Sequence, residues 1–508
     1  QYFGTAVTFV IFGDSDYTSR LFPAIFGIAL VGLPFLLRRQ LGTLGAFVAA
    51  GLLAVSPALL YFSRFARNDI YVAFFALAMV ICMWRYLAER KEGWLIGIAP
   101  LLALSFAAKE VTFIIVGVFL VYLDIMLTID LVQRIRSSRE MTLLQTAAAY
   151  LVVTPTAWLI AASWPVTEGW RKTFNLTEMP AIGPVLLIVG TLAAPQFAPA
   201  IQSFGVDNQG YMGEDDWMRW SVLLLILGGA YVGVLWNWRV WLIAGALFYG
   251  IYVLLFTSFF TNMSGFWTGI WGSMDYWLEQ QGVRRGDQPD YYYLILLPIY
   301  EFLPLVFALG GALYYGFRGK LEQKLLAASA LLLVLTFSVL PDSAPLVGGF
   351  RIHLAFVIAI GAVVVLSMDA FTKFLLFWLL SILFGLTVAG EKMPWLTVHL
   401  ALPLALLGAK IVDDILTSVR SEAETEGQTQ GKEPSLLAGF LSQPMARFAL
   451  GAALAVVAAV IFQAVGPASG ISAVAWLLAI ATAGLVVWVA RSMSWRAAGQ
   501  VAAVALFG

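Results

Sequence analysis

The sequence predicts an all-α, polytopic membrane protein, and three observations carry that reading. Of its 508 residues 61% are hydrophobic and 12% charged, with a mean hydropathy of +0.86, far from the balance of a soluble domain. Apolar stretches of about 18 to 24 residues recur from Asp16 to the end, each long enough to cross a hydrocarbon layer of about 30 Å as a helix. The stretches do not alternate apolar and polar residues, which excludes a membrane barrel.

The elements follow in order. Residues 2–12 are apolar but short and precede GDSDYTSR, so an interfacial or half-buried helix is expected there. The first span covers about 17–37 and ends at Arg38 and Arg39, which mark a cytoplasmic end. Spans over about 41–62, 70–86, 94–108 and 111–127 come next, then one over 146–163. The apolar run 181–200 carries Pro184, Pro195 and Pro199 and is read as a re-entrant or interfacial element. Further spans are expected over about 221–236, 240–260, 294–315, 325–340, 353–367, 371–388 and 396–415. The polar stretch containing SEAETEGQTQGKEPS lacks apolar periodicity and reads as a flexible cytoplasmic linker. The expected organisation is a transmembrane domain over 1–417, a linker over 418–446 and C-terminal transmembrane helices over 447–508. Gln1 stands where a methionine is absent and VAAVALFG stops inside an apolar run, so further sequence is expected beyond both ends.

Alternation of these spans puts YFSRFARND (61–69), Lys109 with Glu110, the loop 261–291 and GEKMPW outside, with AERKE and RIRSSRE inside. Composition removes several function classes. A formal net charge of zero gives no basic field for nucleic acid. Cys82 is the only cysteine and lies in an apolar helix, so there is neither an internal disulfide nor a cysteine metal cluster. His353 and His399 are the only histidines, and the chain holds no phosphate loop, HExxH motif or nucleophile elbow.

Charge at membrane helix ends is costly and tends to be paired or functional. Asn68 or Asp69 could cap the helix that begins there, and Lys109 could pair with Glu110. Neither explains Arg64 and Arg67, which stand on the outer side against the usual charge bias and suit an anion. The loop 261–291 sets Trp267, Trp271 and Trp277 beside Glu279, Arg284, Arg285, Asp287 and Tyr291. Rings stack on sugar faces and arginines fork onto phosphate, although an aromatic interfacial belt would account for the tryptophans alone. GEKMPWLTVH adds Glu391, Lys392 and His399 around a Pro-Trp break, with a solvated Glu391–Lys392 pair as the plainer reading.

DSDYTSRLFPAIFG, YFSRFARNDIYVAFF, AAKE, FFTN, YWLEQQGVRRGDQPDYYY and GEKMPWLTVHLALP together resemble the flippase activity-associated proteins of archaea and some bacteria. That group is similar to GT-C glycosyltransferases such as protein O-mannosyltransferases and the lipid A aminoarabinose transferase. The resemblance runs from residue 14 to about 403 and implies a GT-C bundle of about 13 to 16 helices. It implies a plasma-membrane enzyme that moves a sugar from a polyprenyl-phosphate donor to an acceptor protein or glycolipid, with its active site outside. The base aspartate of such enzymes, in the first outer loop, would precede Gln1. Asp69 and Lys109 match the donor-site aspartate and the outer-turn lysine, and Arg64 and Arg67 lie in the same motif as phosphate ligands by charge. Trp277, Glu279, Arg284, Arg285, Asp287, Tyr291, Glu391, Lys392 and His399 are expected on the sugar or acceptor side. Gln281 stands where this group's loop carries histidine. No cofactor is required by the resemblance, and a divalent ion on carboxylates such as Asp69 is compatible with it. Two other readings remain: a lipid-linked glycan flippase, or a non-catalytic subunit of a larger membrane complex.

Overall fold

The computed structural model describes residues 1–138, 141–204 apart from 175 and 177, 214–318 apart from 281–287 and 290, scattered positions between 356 and 363, and 369–430. Among them every regular element is a helix. Eight helices are long and apolar enough to cross a membrane, or nine if one bent pair counts as a span. The protein is therefore the all-α polytopic bundle that its composition predicts. The span expected over 325–340, most of 353–367 and the C-terminal helices from 447 lie outside the described residues.

Local chemistry sets the helix ends. Ser15 and Thr18 form a capping box at the start of Asp16–Gly32, against which the short Tyr2–Phe12 helix packs through Thr8. Asp69–Glu89 is the most enclosed helix of this first part, and Arg90 closes it in the left-handed region at φ 57°. Glu92–Phe106 and Val111–Ser138 follow as a hairpin whose tight turn holds Lys109 and Glu110. The Thr397–Gln430 helix runs beside Thr43–Val55, where Asp413 Oδ1 accepts the Gly45 N–H at 2.9 Å. That helix continues through the first part of the segment expected as a linker.

Two apolar runs that read as single spans are broken, and a third break falls between the spans expected over 221–236 and 240–260. The run 41–62 divides into Thr43–Val55 and Pro57–Phe62 at Ser56. The run 294–315 bends by 101° between Tyr292–Tyr300 and Phe302–Gly311, at Glu301. The Glu214–Phe256 helix leaves helical geometry at Asn237, whose Oδ1 accepts the Val240 N–H and whose Nδ2 reaches Glu92 Oε1 at 3.0 Å. At Ser56 and Asn237 the polar side chain accepts a backbone N–H of the helix that restarts there, and Glu301 accepts the Ala58 N–H beside the Ser56 break.

Two segments depart from the expected topology. Leu144–Ala162 is long enough to cross, yet its chain leaves and returns at the Ser138 end of the bundle. Arg134 Nη1 donates to the Glu178 carbonyl at 3.2 Å, and Ser138 Oγ stands 3.5 Å from the Phe174 carbonyl. Conversely, the run 181–200 is an interior helix of the bundle rather than an interfacial or re-entrant element. Residues 183–193 are all buried, and Pro195 and Pro199 fall in a 3-10 continuation, Ala194–Phe204. It begins beside Glu178 and brings Phe197 against Phe106 and Phe113 at the opposite end, next to Lys109. The two departures cancel, so the segments that follow Phe204 keep the ends that the sequence assigned to them.

Candidate active site at one end of the bundle

Asp69 opens its helix without capping it. Neither Asn68 nor Asp69 accepts a capping bond with its side chain, and Asn68 Nδ2 instead donates to the Ala108 carbonyl at 2.7 Å. That bond ties the 61–69 segment to the turn that carries Lys109. The turn is itself fastened by Thr112 Oγ1 donating to the Ser105 carbonyl at 2.8 Å. Lys109 does not need Glu110 as its partner, because its Nζ donates to Asp69 Oδ1 at 2.7 Å.

The Asp69 carboxylate is wholly buried. His399 Nε2 lies 3.3 Å from the same Oδ1, and Arg67 Nε lies 3.8 Å from Oδ2, which has no hydrogen-bond partner. His399 is also buried, with Nδ1 unpartnered. Trp395, in the 3-10 turn Pro394–Leu396, forms the floor: the Arg67 guanidinium lies 3.5 Å from its ring centre and the Lys109 ammonium 5.5 Å. Residues 67–69, 109 and 395–399 thus converge from three separate parts of the chain on one buried carboxylate.

The GEKMPW segment is held by Tyr293, whose hydroxyl accepts the Met393 N–H at 3.0 Å and donates to the Met393 carbonyl at 3.2 Å. Lys392 is not a solvated partner of Glu391; it is buried, with Nζ donating to the Ala389 carbonyl. Arg64 is exposed and is the only charged residue lining a cavity of about 290 Å³. The rest of that lining is apolar, including Gly27, Leu30, Leu53 and Leu60, apart from Ser63.

The loop residues divide. Trp277 and Glu279 lie on the Gly265–Gln280 helix, which packs on Ala194–Phe204 and the Phe256 end of its neighbour, not among the groups around Asp69. Tyr291 precedes the Tyr292–Tyr300 helix. Arg284, Arg285 and Asp287, with Gln281, lie outside the described residues. Trp395 and Tyr293 were not singled out by sequence, and Asn68 was singled out only as a helix cap. Trp395 carried a signal, as the aromatic residue inside GEKMPW, whereas Tyr293 was one of three identical neighbours.

No set of divalent-cation ligands gathers around Asp69 among the described residues. Among the described residues no group of three histidine, cysteine or carboxylate side chains could hold a metal. Asp69 and His399 would have to share a cation with an ammonium already 2.7 Å from Oδ1 and a guanidinium beside Oδ2.

Residues 2–168 match the family model described as dolichyl-phosphate-mannose-protein mannosyltransferase. That match supports placing the chain among the GT-C, mannosyltransferase-like membrane glycosyltransferases. It covers Arg64, Arg67, Asp69 and Lys109, while Trp395 and His399 come from beyond it. No curated protein and no solved structure matches the chain.

Proposed function

We propose that the protein transfers a sugar from a polyprenyl-phosphate donor to an acceptor protein or glycolipid at the extracytoplasmic face of the cell membrane. The observation that carries this reading is the buried Asp69 carboxylate ringed by Lys109, Arg67 and His399 at one bundle end. The apolar cavity beside Arg64 supports the lipid donor, since it offers an isoprenoid chain an apolar lining next to a guanidinium. Charge supports the sidedness. Arg39, Arg85 and Lys91 gather around Glu89 at the opposite end, with Arg38, Arg90 and Arg134 nearby, as the positive-inside rule expects of a cytoplasmic face.

In this mechanism the acceptor oxygen attacks the anomeric carbon with inversion, and the bond to the phosphate oxygen breaks with its electron pair going to the phosphate. Arg64 and Arg67 hold the donor phosphate in the bound and transition states alike, and Lys109 stabilises the charge that grows there. Asp69 orients Lys109 and His399 rather than acting as the base, because its Oδ1 is already engaged inside the protein. The acceptor proton passes to a general base other than Asp69.

The test uses the full-length protein and a labelled polyprenyl-phosphate sugar. Asp69→Asn and Lys109→Ala are expected to abolish transfer while leaving folded protein. Wild-type rates in both variants would remove the two residues from the site. Transport of a lipid-linked glycan without any transfer would replace the proposal by the flippase reading.

A further inference from the structure

Glu301 is wholly buried at the 101° break after the Tyr292–Tyr300 helix, yet it belongs to none of the charged motifs of the sequence. Its Oε1 accepts from Ser56 Oγ at 2.6 Å and from the Ala58 N–H at 3.1 Å, and its Oε2 has no partner. Ser56 already caps Pro57–Phe62 by accepting the Leu59 N–H. The helix start thus has a local cap, and the carboxyl adds a link across 245 positions of sequence. At the other end of Tyr292–Tyr300, Tyr293 holds Met393 by two hydrogen bonds. One nine-residue helix is therefore fastened at its start to the segment bearing Trp395 and His399, and at its end to the segment bearing Arg64, Arg67 and Asp69.

We infer that Glu301 is a positioning residue: through Ser56 and Ala58 it fixes the place of residues 63–69, so that Arg64 and Arg67 meet the donor phosphate together with Lys109. A buried carboxyl is costly in such a setting, and a cap alone does not require it. The Tyr292–Tyr300 helix is then a tie bar that makes the two walls of the site move as one. This rests on the reading of Arg64 and Arg67 as donor-phosphate ligands.

The experiment has two independent readouts in the full-length protein. The first is the maleimide labelling rate of Phe65→Cys, a half-exposed position next to Arg64; Cys82 is buried and gives little background. The second is KM for a labelled polyprenyl-phosphate sugar, measured without the Phe65 change. Glu301→Ala and Ser56→Ala are expected to change the labelling rate at least about threefold and to raise KM about tenfold, with kcat within about twofold. Glu301→Gln should match wild type in both, because its amide oxygen accepts the same two donors. A merely structural role would lower the folded fraction and leave KM unmoved. Unchanged labelling in the alanine variants, altered labelling with unchanged KM, or a Glu301→Gln variant that behaves like Glu301→Ala would each overturn the inference. Ser56→Ala carries the test if Glu301→Ala does not fold. If the wild type transfers no sugar, the functional reading fails on its own, and the labelling rates alone judge the placement of residues 63–69 by Glu301.

Discussion

The two oxygens of Asp69 stand in different surroundings. Oδ1 is shared by Lys109 and His399, while Oδ2 faces the Arg67 guanidinium without a hydrogen bond. Removing one member of a buried ion pair costs about 3 to 5 kcal/mol, whereas removing both is often near neutral. Lys109→Met is therefore expected to lower stability, and Asp69→Asn with Lys109→Met to recover most of it in a denaturation measurement. Sugar transfer should remain absent in the double variant. Recovered transfer would show that the pair serves folding alone. Trp395→Ala is a separate case. It removes the surface on which the Arg67 guanidinium lies, so KM for the donor should rise several-fold, about 1 kcal/mol for a cation–π contact, with the protein still folded. At this scale Asp69 and Lys109 were legible because charge at a membrane helix end needs an explanation. The contact with His399 was not, since 330 positions separate it from Asp69 and nothing local pairs them.

At the scale of the helix, hydropathy located the apolar runs and missed where they break. Ser56 and Glu301 are single polar residues in long apolar surroundings, and a window average absorbs them, whereas the Asn237 break falls between two spans that the sequence separates. Their effect comes from partners in other helices, so a break at Ser56 becomes visible only once Glu301 stands against it. Hydropathy also gives equal weight to a run that crosses and one that turns back, which is why 144–162 and 182–200 were each given the other's part. Cysteine labelling distinguishes them. Glu178→Cys and Arg239→Cys should react from the cytoplasmic side, opposite to Phe65→Cys. Reaction of Glu178→Cys from the same side as Phe65→Cys would return 144–162 to the set of crossing helices.

For the whole molecule, packing inside a bilayer cannot draw on burial from water between helices and relies on close approach by small residues. Thr191 is one such point. Its Oγ1 donates to the Leu187 carbonyl and accepts the Trp241 indole N–H at 3.0 Å, and a Cβ on Gly229 would come within 2.7 Å of its carbonyl oxygen. Gly229→Leu should therefore separate the Ile182–Ala193 helix from its neighbour and cost about 1 to 3 kcal/mol, read as a lowered Tm. Transfer per folded molecule should survive, because Thr191 and Trp241 are not among the groups around Asp69.

The returning segment has a practical corollary for mapping. Sidedness behaves as a parity: each loop records only whether an odd or even number of crossings precedes it. Exchanging one crossing run for a neighbouring non-crossing one leaves every later reading the same. A reporter enzyme fused anywhere after Phe204 would give one result for both arrangements, however many fusions were made. Only the interval between Ser163 and Ala181, fewer than twenty positions, distinguishes them.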